Sequence, residues 1–241
     1  MDLSAKITIF ADDEKDRFHC SGRRERQAVL RGAGRLGGAL PKQFCRLGDR
    51  PVVCHAVDRL REAGAKVILV VSHDRIEWWK DWCRENNYHS PRVVAGGSTR
   101  WESVRNAIRV IDADDVDIIG VHDGARPLVD REVVGRLISQ EADGAIPVVG
   151  VVDSIRRIVE GGSRAEERAT LRAVHTPQVF NAAKLRHAYE LPYSPAFTDD
   201  ASVMEAAGFT GLALVDDTPA NIKITHPGDL VLAAYYLEKG F

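Results

Sequence analysis

Arg35 and Lys42 stand near the two ends of a glycine-rich stretch, RGAGRLGGALPKQF at residues 31–44. Glycines such as Gly32 and Gly34 let backbone amides approach a ligand closely, and flanking cations favour an anion, so this pattern suits a polyphosphate. Pro41 fixes φ immediately before Lys42 and restricts how the lysine is presented. An ordinary connecting turn with solvated cations accounts for the same residues, because the chain holds 20 glycines and chance clusters are common.

Further along, VHDGARP at 121–127 puts Asp123 at the end of an apolar run, followed by Gly124 and by Arg126 before the helix-breaking Pro127. A carboxylate at a strand end beside a phosphate site suits Mg²⁺, which keeps several waters and takes its other ligands from phosphates. Pairing of Asp123 with Arg126 is the structural alternative, and His122 is read as a packed histidine with no chemical role. In GGSTRWESV at 96–104, Thr99 and Glu102 have capping-box spacing and start a helix, with Arg100 and Ser103 on one face near its positive end. A capped helix with a surface arginine explains that segment equally. Thr198 is expected to cap a helix whose first turn holds Asp199 and Asp200. Lys223 falls in the strand-like NIKIT at 221–225, where a solvated lysine is the bland reading.

These residues need a scaffold that brings distant segments together. KVILVVS at 66–72, VDIIGVHD at 116–123 and AIPVVGVV at 145–152 read as strands, and residues near 51–64, 98–111 and 130–142 read as helices. Alternation of this kind specifies a mostly parallel, doubly wound α/β sheet whose ligands sit beyond the carboxyl ends of the strands. Residues 153–175 break the rhythm: two polar, strand-like arms flank a turn at Gly161-Gly162, with too little apolar surface to fold alone. A partner subunit or a plain surface hairpin would accommodate them. KITIF at 6–10 is strand-like but lies too far upstream to feed the glycine loop directly.

Bulk composition bounds the function. The 241 residues carry 33 basic and 35 acidic side chains, so no overall field draws in nucleic acid or a membrane surface, and any anion site is local. No run reaches the roughly 18 apolar residues of a membrane span, and ADDEKD at 11–16 is too acidic for a transit peptide. Four cysteines without CxxC spacing disfavour zinc and a disulfide framework, which fits a reduced, cytoplasmic chain.

The motifs RLGGALPKQF, GGSTRWESV, VHDGARPLV, VVDSI, HTPQVF, FTDDAS and NIKIT fall in the order and approximate spacing of one family. Over roughly residues 28–240 the chain resembles the 2-C-methyl-D-erythritol 4-phosphate cytidylyltransferases. Ribitol 5-phosphate cytidylyltransferases share most of these motifs. The resemblance implies a single Rossmann-like nucleotidyltransferase domain at 28–241, with a dimerising β-arm at about 153–175 and an atypical segment at 1–27. It further implies that CTP and 2-C-methyl-D-erythritol 4-phosphate, in a step of isoprenoid precursor synthesis, give the CDP-linked product and pyrophosphate, with Mg²⁺; ribitol 5-phosphate is the alternative acceptor.

By motif position, Arg35 and Lys42 match the pair that neutralises the triphosphate. Gly32, Gly34, Gly97, Arg100, Ser103 and Gly124 match nucleotide-holding positions, and Asp123 the position that meets metal and ligand. Arg168, acting across the subunit boundary, and Lys223 match positions that orient the sugar phosphate, with Arg126, Ser154, Thr176 and Thr198 near the substrate. Leu30-Arg31-Gly32-Ala33-Gly34-Arg35 runs one residue out of step with the family's Ala-Ala-Gly-x-Gly-x-Arg, and His175 stands where Gln is common. A nucleotide-binding relative with impaired catalysis is therefore the alternative. A dinucleotide-dependent oxidoreductase is disfavoured, because no G-x-G-x-x-G follows a clear strand with an acidic residue about 20 positions on.

Overall fold

The computed structural model describes residues 6–11 (backbone path only), 40–112 and 116–240. Its strands are β1 (Lys6–Ala11), β2 (Arg46–Leu47), β3 (Arg50–Pro51), β4 (Lys66–Val71), β5 (Arg92–Ala95), β6 (Ile118–Asp123), β7 (Gly144–Gly150), β8 (Arg156–Val159), β9 (Gly162–Ala165), β10 (Arg172–Val174), β11 (Gln178–Asn181) and β12 (Leu212–Asp216). The helices are α1 (Val52–Glu62), α2 (Ile76–Glu85), α3 (Arg100–Arg109), α4 (Arg131–Ile138), α5 (Ala182–Ala188), α6 (Asp200–Ala206) and α7 (Pro227–Lys239).

β4 shows why the sheet is covered on both sides. Its sequence KVILVV is buried at every residue after Lys66, as expected of a parallel strand packed between two helical layers. Ile68 and Val70 join a cluster with Trp101 and Val104 of α3, Leu185 of α5 and Met204 of α6. Val67, Leu69 and Val71 join the opposite cluster with Val53 and Val57 of α1, Trp79 of α2 and Val134 of α4.

The main sheet runs β10-β7-β11-β6-β1-β4-β5, with β12 also paired to β7. β1 lies parallel between β4 and β6, so the strand-like KITIF sits at the middle of the sheet. β11 runs antiparallel to both β6 and β7, a departure from the parallel rhythm. This reversal positions the site: Gln178 pairs with Val121, so the residue two before Gln178 meets the residue two after Val121. Thr176 is thereby brought beside Asp123.

The segment at 153–175 contains a separate two-stranded hairpin of β8 and β9, turning at Glu160-Gly161 with φ +78° at Gly161. Ile158 is 80% exposed and Val152 82%. NIKIT forms no strand: residues 222–225 run as an irregular segment, because Ile224 N–H donates to the Ala125 carbonyl (2.8 Å) in the turn after β6 rather than to a ladder. Cysteine usage departs from a wholly reduced chain, since Cys45 is disulfide-bonded while Cys54 and Cys83 are free and buried. Among the described residues, no helix is long and apolar enough to cross a membrane.

Candidate active site

Strand ends define one rim. β6 ends at Asp123, opposite Ala11 of β1, and Gly96 N–H donates to Val71 O at the end of β4 (2.9 Å). The glycine pair before α3 and the carboxylate after β6 therefore lie on the same edge of the sheet, where parallel strands expose ligand sites.

Asp123 is the electrostatic centre. Lys223 Nζ lies 3.4 Å and Arg126 Nε 3.2 Å from its Oδ2. Burial by itself would raise the Asp123 pKa, but Lys223, Arg100 and Arg126 together hold it well below the usual carboxylate range. The carboxylate is therefore ionised throughout the neutral range. Arg126 is fixed on its other side by donating from Nη1 to the Asn221 carbonyl (2.6 Å). Asn221 Nδ2 donates to Thr176 O (3.0 Å) and Asp217 Oδ2 (2.8 Å), and Asp217 also accepts from His175 Nδ1 (2.8 Å). One connected network thus ties β6, the β10–β11 turn and the loop after β12.

Arg100 occupies the first position of α3. Thr99 caps this helix by accepting from Glu102 N–H (3.0 Å). Glu102 reaches back to Ser98 N–H and Oγ (2.7 and 2.6 Å), one residue before the position that the capping-box spacing assigns it. Arg100 Nη2 donates to Asp200 Oδ2 (2.5 Å), and Tyr189 Oη donates to Asp200 Oδ1 (2.5 Å). Burial works against the guanidinium charge, and the fully buried Asp200 more than offsets it, so the Arg100 pKa is raised. Asp200 follows the helix cap. That cap is Asp199, accepting from Ser202 N–H (2.9 Å), and not Thr198, which is exposed and gives its N–H to Ser202 Oγ.

Gly97 is required by close approach: an added Cβ would sit 2.3 Å from Glu102 Cβ. Its N–H donates to Ser103 Oγ (3.1 Å), and that hydroxyl donates to Thr99 O (3.0 Å). Ser103 therefore braces the glycine turn. Lys42 is 2% exposed in the short 3₁₀ turn Lys42–Phe44, and Gly124 is half-buried in the turn after Asp123. Leu47, shortly after this turn, shares an apolar cluster with Ala125, Leu128 and Ile224, which seats the segment against the Asp123 turn.

The structure brings Asp123, Arg126, Lys223, Arg100 and Thr176 together. Ser154 and Arg168 lie exposed on the arm, where Arg168 Nη1 donates to Val152 O. Among the described residues, no hydrogen bond or ion pair joins Ser154, Arg168 or Thr198 to the Asp123 cluster. Gly32, Gly34 and Arg35 lie outside the described residues. Sequence reasoning missed Asp200, Tyr189, Asp217 and Asn221 as supports, and gave His122 no role. His122 is fully buried, its Nε2 3.0 Å from Arg126 O and its Nδ1 3.0 Å from Thr176 Oγ1; burial pushes its pKa down to about 4.

A buried, ionised carboxylate ringed by cations, at the rim where a glycine turn opens a helix, is suited to holding phosphates together. The family model of 2-C-methyl-D-erythritol 4-phosphate cytidylyltransferase (IspD) matches residues 28–239. The chain belongs to this cytidylyltransferase family. It is 38% identical over 215 residues to the enzyme of that name from Bacteroides fragilis, covering 87% of this chain and 97% of the relative. The Bacteroides thetaiotaomicron enzyme is also 38% identical, over 221 residues, covering 88% of this chain and all of the relative. The crystal structure of the Thermus thermophilus cytidylyltransferase superposes with a TM-score of 0.65 at 30% identity, covering 82% of this chain and 94% of that one. A crystal structure of 4-diphosphocytidyl-2C-methyl-D-erythritol synthase gives 0.74 at 27% identity, covering 97% and 98%.

Proposed function

We propose that the chain joins CTP to 2-C-methyl-D-erythritol 4-phosphate, releasing pyrophosphate and the CDP-linked methylerythritol used in isoprenoid precursor synthesis. The observation that carries this reading is the convergence of Lys223, Arg126 and Arg100 on Asp123.

A phosphate monoester has a second pKa of about 6 and is largely dianionic at neutral pH, so it attacks without a general base. A phosphate oxygen of the sugar alcohol forms a bond to the α-phosphorus of CTP, and the bond to the β,γ-diphosphate breaks, its electron pair leaving with pyrophosphate. What hinders this step is repulsion between two anions and charge build-up on the transferring group, and positioned cations relieve both. Lys42 and Arg35 serve the triphosphate, Arg100 orients the nucleotide beside Gly97, and Lys223 with Arg126 meets the sugar phosphate near Thr176. Gly32, Gly34, Ser103 and Gly124 shape the nucleotide pocket.

Mg²⁺ belongs to the same proposal. Among the described residues no group of three or more His, Cys, Asp or Glu is gathered to hold a metal. The chemistry of the site still fits Mg²⁺ shared with the nucleotide, because both ion pairs of Asp123 fall on Oδ2. Asp123 would hold the ion, and phosphates and water would supply its remaining ligands. When bound, the ion supplies charge neutralisation on the triphosphate.

The arm extends the site to a second copy. Exposed Ile158 and Val152 supply apolar surface for a homodimer, and Arg168 and Ser154 on the same segment reach the partner's site. Neither nucleic acid nor a membrane is a partner in this reading, and the reaction is cytoplasmic. Initial rates of pyrophosphate release test it: CTP with methylerythritol phosphate is the preferred pair, and faster turnover with ribitol 5-phosphate, or with another nucleotide, overturns that assignment.

A further inference from the structure

We propose that His122 is a positioning residue of the cytidylyltransferase, setting the Thr176 hydroxyl and, through it, the backbone that presents Asp123. The proposal rests on the reading of Asp123 as part of the reaction centre.

Polarity can be followed atom by atom. His122 Nε2 lies 3.0 Å from the Arg126 carbonyl oxygen, a group that only accepts, so Nε2 carries the ring proton. Nδ1 of the neutral ring is then an acceptor, 3.0 Å from Thr176 Oγ1, and the hydroxyl donates to it. The same oxygen accepts the Asp123 N–H at 3.0 Å. Hydrogen bonds therefore run one way, from Asp123 N–H through Thr176 and His122 to Arg126 O. Arg126 Nε closes the loop on Asp123 Oδ2 at 3.2 Å.

This loop spans the point where β6 gives way to the turn. The β11 ladder stops at Gln178–Val121, so on that side Asp123 is held by Thr176 and His122, while its other edge pairs with Ala11 of β1. An imidazole bridges two groups of opposite demand on either side of one ring. An asparagine keeps only an acceptor near the Nδ1 position, and leucine keeps neither. Because His122, Thr176 and Asp123 are all buried, a lost bond is not replaced freely by solvent.

Two measurements test the proposal on the full chain. Long-range ¹H–¹⁵N NMR correlation of the His122 ring should report the Nε2–H tautomer, with the Nδ1 resonance moving when Thr176→Val removes its donor. An Nδ1–H tautomer, or an Nδ1 resonance indifferent to Thr176→Val, overturns the proposal. In pyrophosphate-release kinetics, His122→Leu should lower kcat/KM about tenfold, the scale of one lost buried hydrogen bond. His122→Asn, which can still accept from Thr176, should retain more activity. In the Thr176→Val background both changes should add less than about twofold, whereas fully multiplicative effects overturn the relay. If His122→Leu fails to fold, the asparagine arm and the parental NMR still decide. If the parental chain releases no pyrophosphate from its proposed substrates, the functional reading fails while the NMR result still judges the relay.

Discussion

Lys223 Nζ lies 3.4 Å from Asp123 Oδ2, joining the loop after β12 to the end of β6. Lys223 keeps about a third of its side chain exposed, whereas the Asp123 side chain is 12% exposed. In the proposed reaction this partial exposure leaves the lysine open to an incoming phosphate while it holds the carboxylate. Lys223→Ala should lower kcat by on the order of 10² to 10³, the cost of removing one preorganised charge-stabilising group. Lys42→Ala should lower it by on the order of 10² or more by the same reasoning. Steady-state pyrophosphate release checks both, and rates within a few fold of the parent would remove either residue from the catalytic set.

Arg100 depends on Asp200. Asp200→Ala leaves a guanidinium in a buried setting without its carboxylate, and should destabilise the fold by about 3–5 kcal/mol. Tyr189→Phe removes one hydrogen bond to the same carboxylate and should cost about 1.5–3 kcal/mol. Urea unfolding of the three chains should rank them parent, Tyr189→Phe, Asp200→Ala, and the reverse order for the two variants would show that Asp200 does not hold the site.

Acid should weaken the fold before it reaches the ordinary carboxylate range. Burial lowers the pKa of His122 from 6.5 to about 4 and also lowers that of His55, whose Nε2 lies 2.8 Å from Leu47 O. Both rings take up a proton at lower pH in the fold than in the unfolded chain, which does so below about 6.5. Stability therefore rises with pH in this window and is lost on acidification. For His122 the loss between pH 6.5 and 4 is on the order of 3 kcal/mol. Asp123, with its folded pKa depressed, contributes stability that is present above its unfolded value of 3.8 and falls away at still lower pH. Melting temperature followed from pH 7 to 4 should decline steadily, less so in His122→Asn; a flat profile in the parent would contradict neutral buried histidines.

Arg168 should act on the partner's site. Arg168→Ala and Lys42→Ala chains, each impaired alone, should recover activity when mixed, because one site of the mixed dimer keeps both residues. Mass spectrometry confirms the mixing, and no recovery in confirmed mixed dimers would confine Arg168 to its own subunit. Ile158→Glu, placing charge on the exposed face of the arm, should shift the chain toward monomer in sedimentation.

Much of this site was legible in the sequence because its motifs sit at strand ends, where apolar runs announce the strand and the next polar residue announces the rim. Asp123 after IIGVHD and the turn before α3 are of this kind. Parallel strands at 66–71 and 118–123 were legible for the same reason. Supports contributed from other elements were not legible. Asp200 looks like any acid in a first helical turn until Arg100 and Tyr189 are seen to converge on it. His122 looks like packing until the antiparallel arrival of β11 sets Thr176 against its ring. NIKIT alternates like a strand, yet the turn after β6 takes Ile224 N–H before any strand can.

Phosphorus-31 NMR of the parental chain with CTP, methylerythritol 4-phosphate and Mg²⁺ tests most directly whether these converged cations join two anions. The monoester signal should disappear in step with the appearance of a diphosphate diester and an equal amount of pyrophosphate. Release of phosphate or CMP with the monoester untouched, or unchanged CTP, would contradict it.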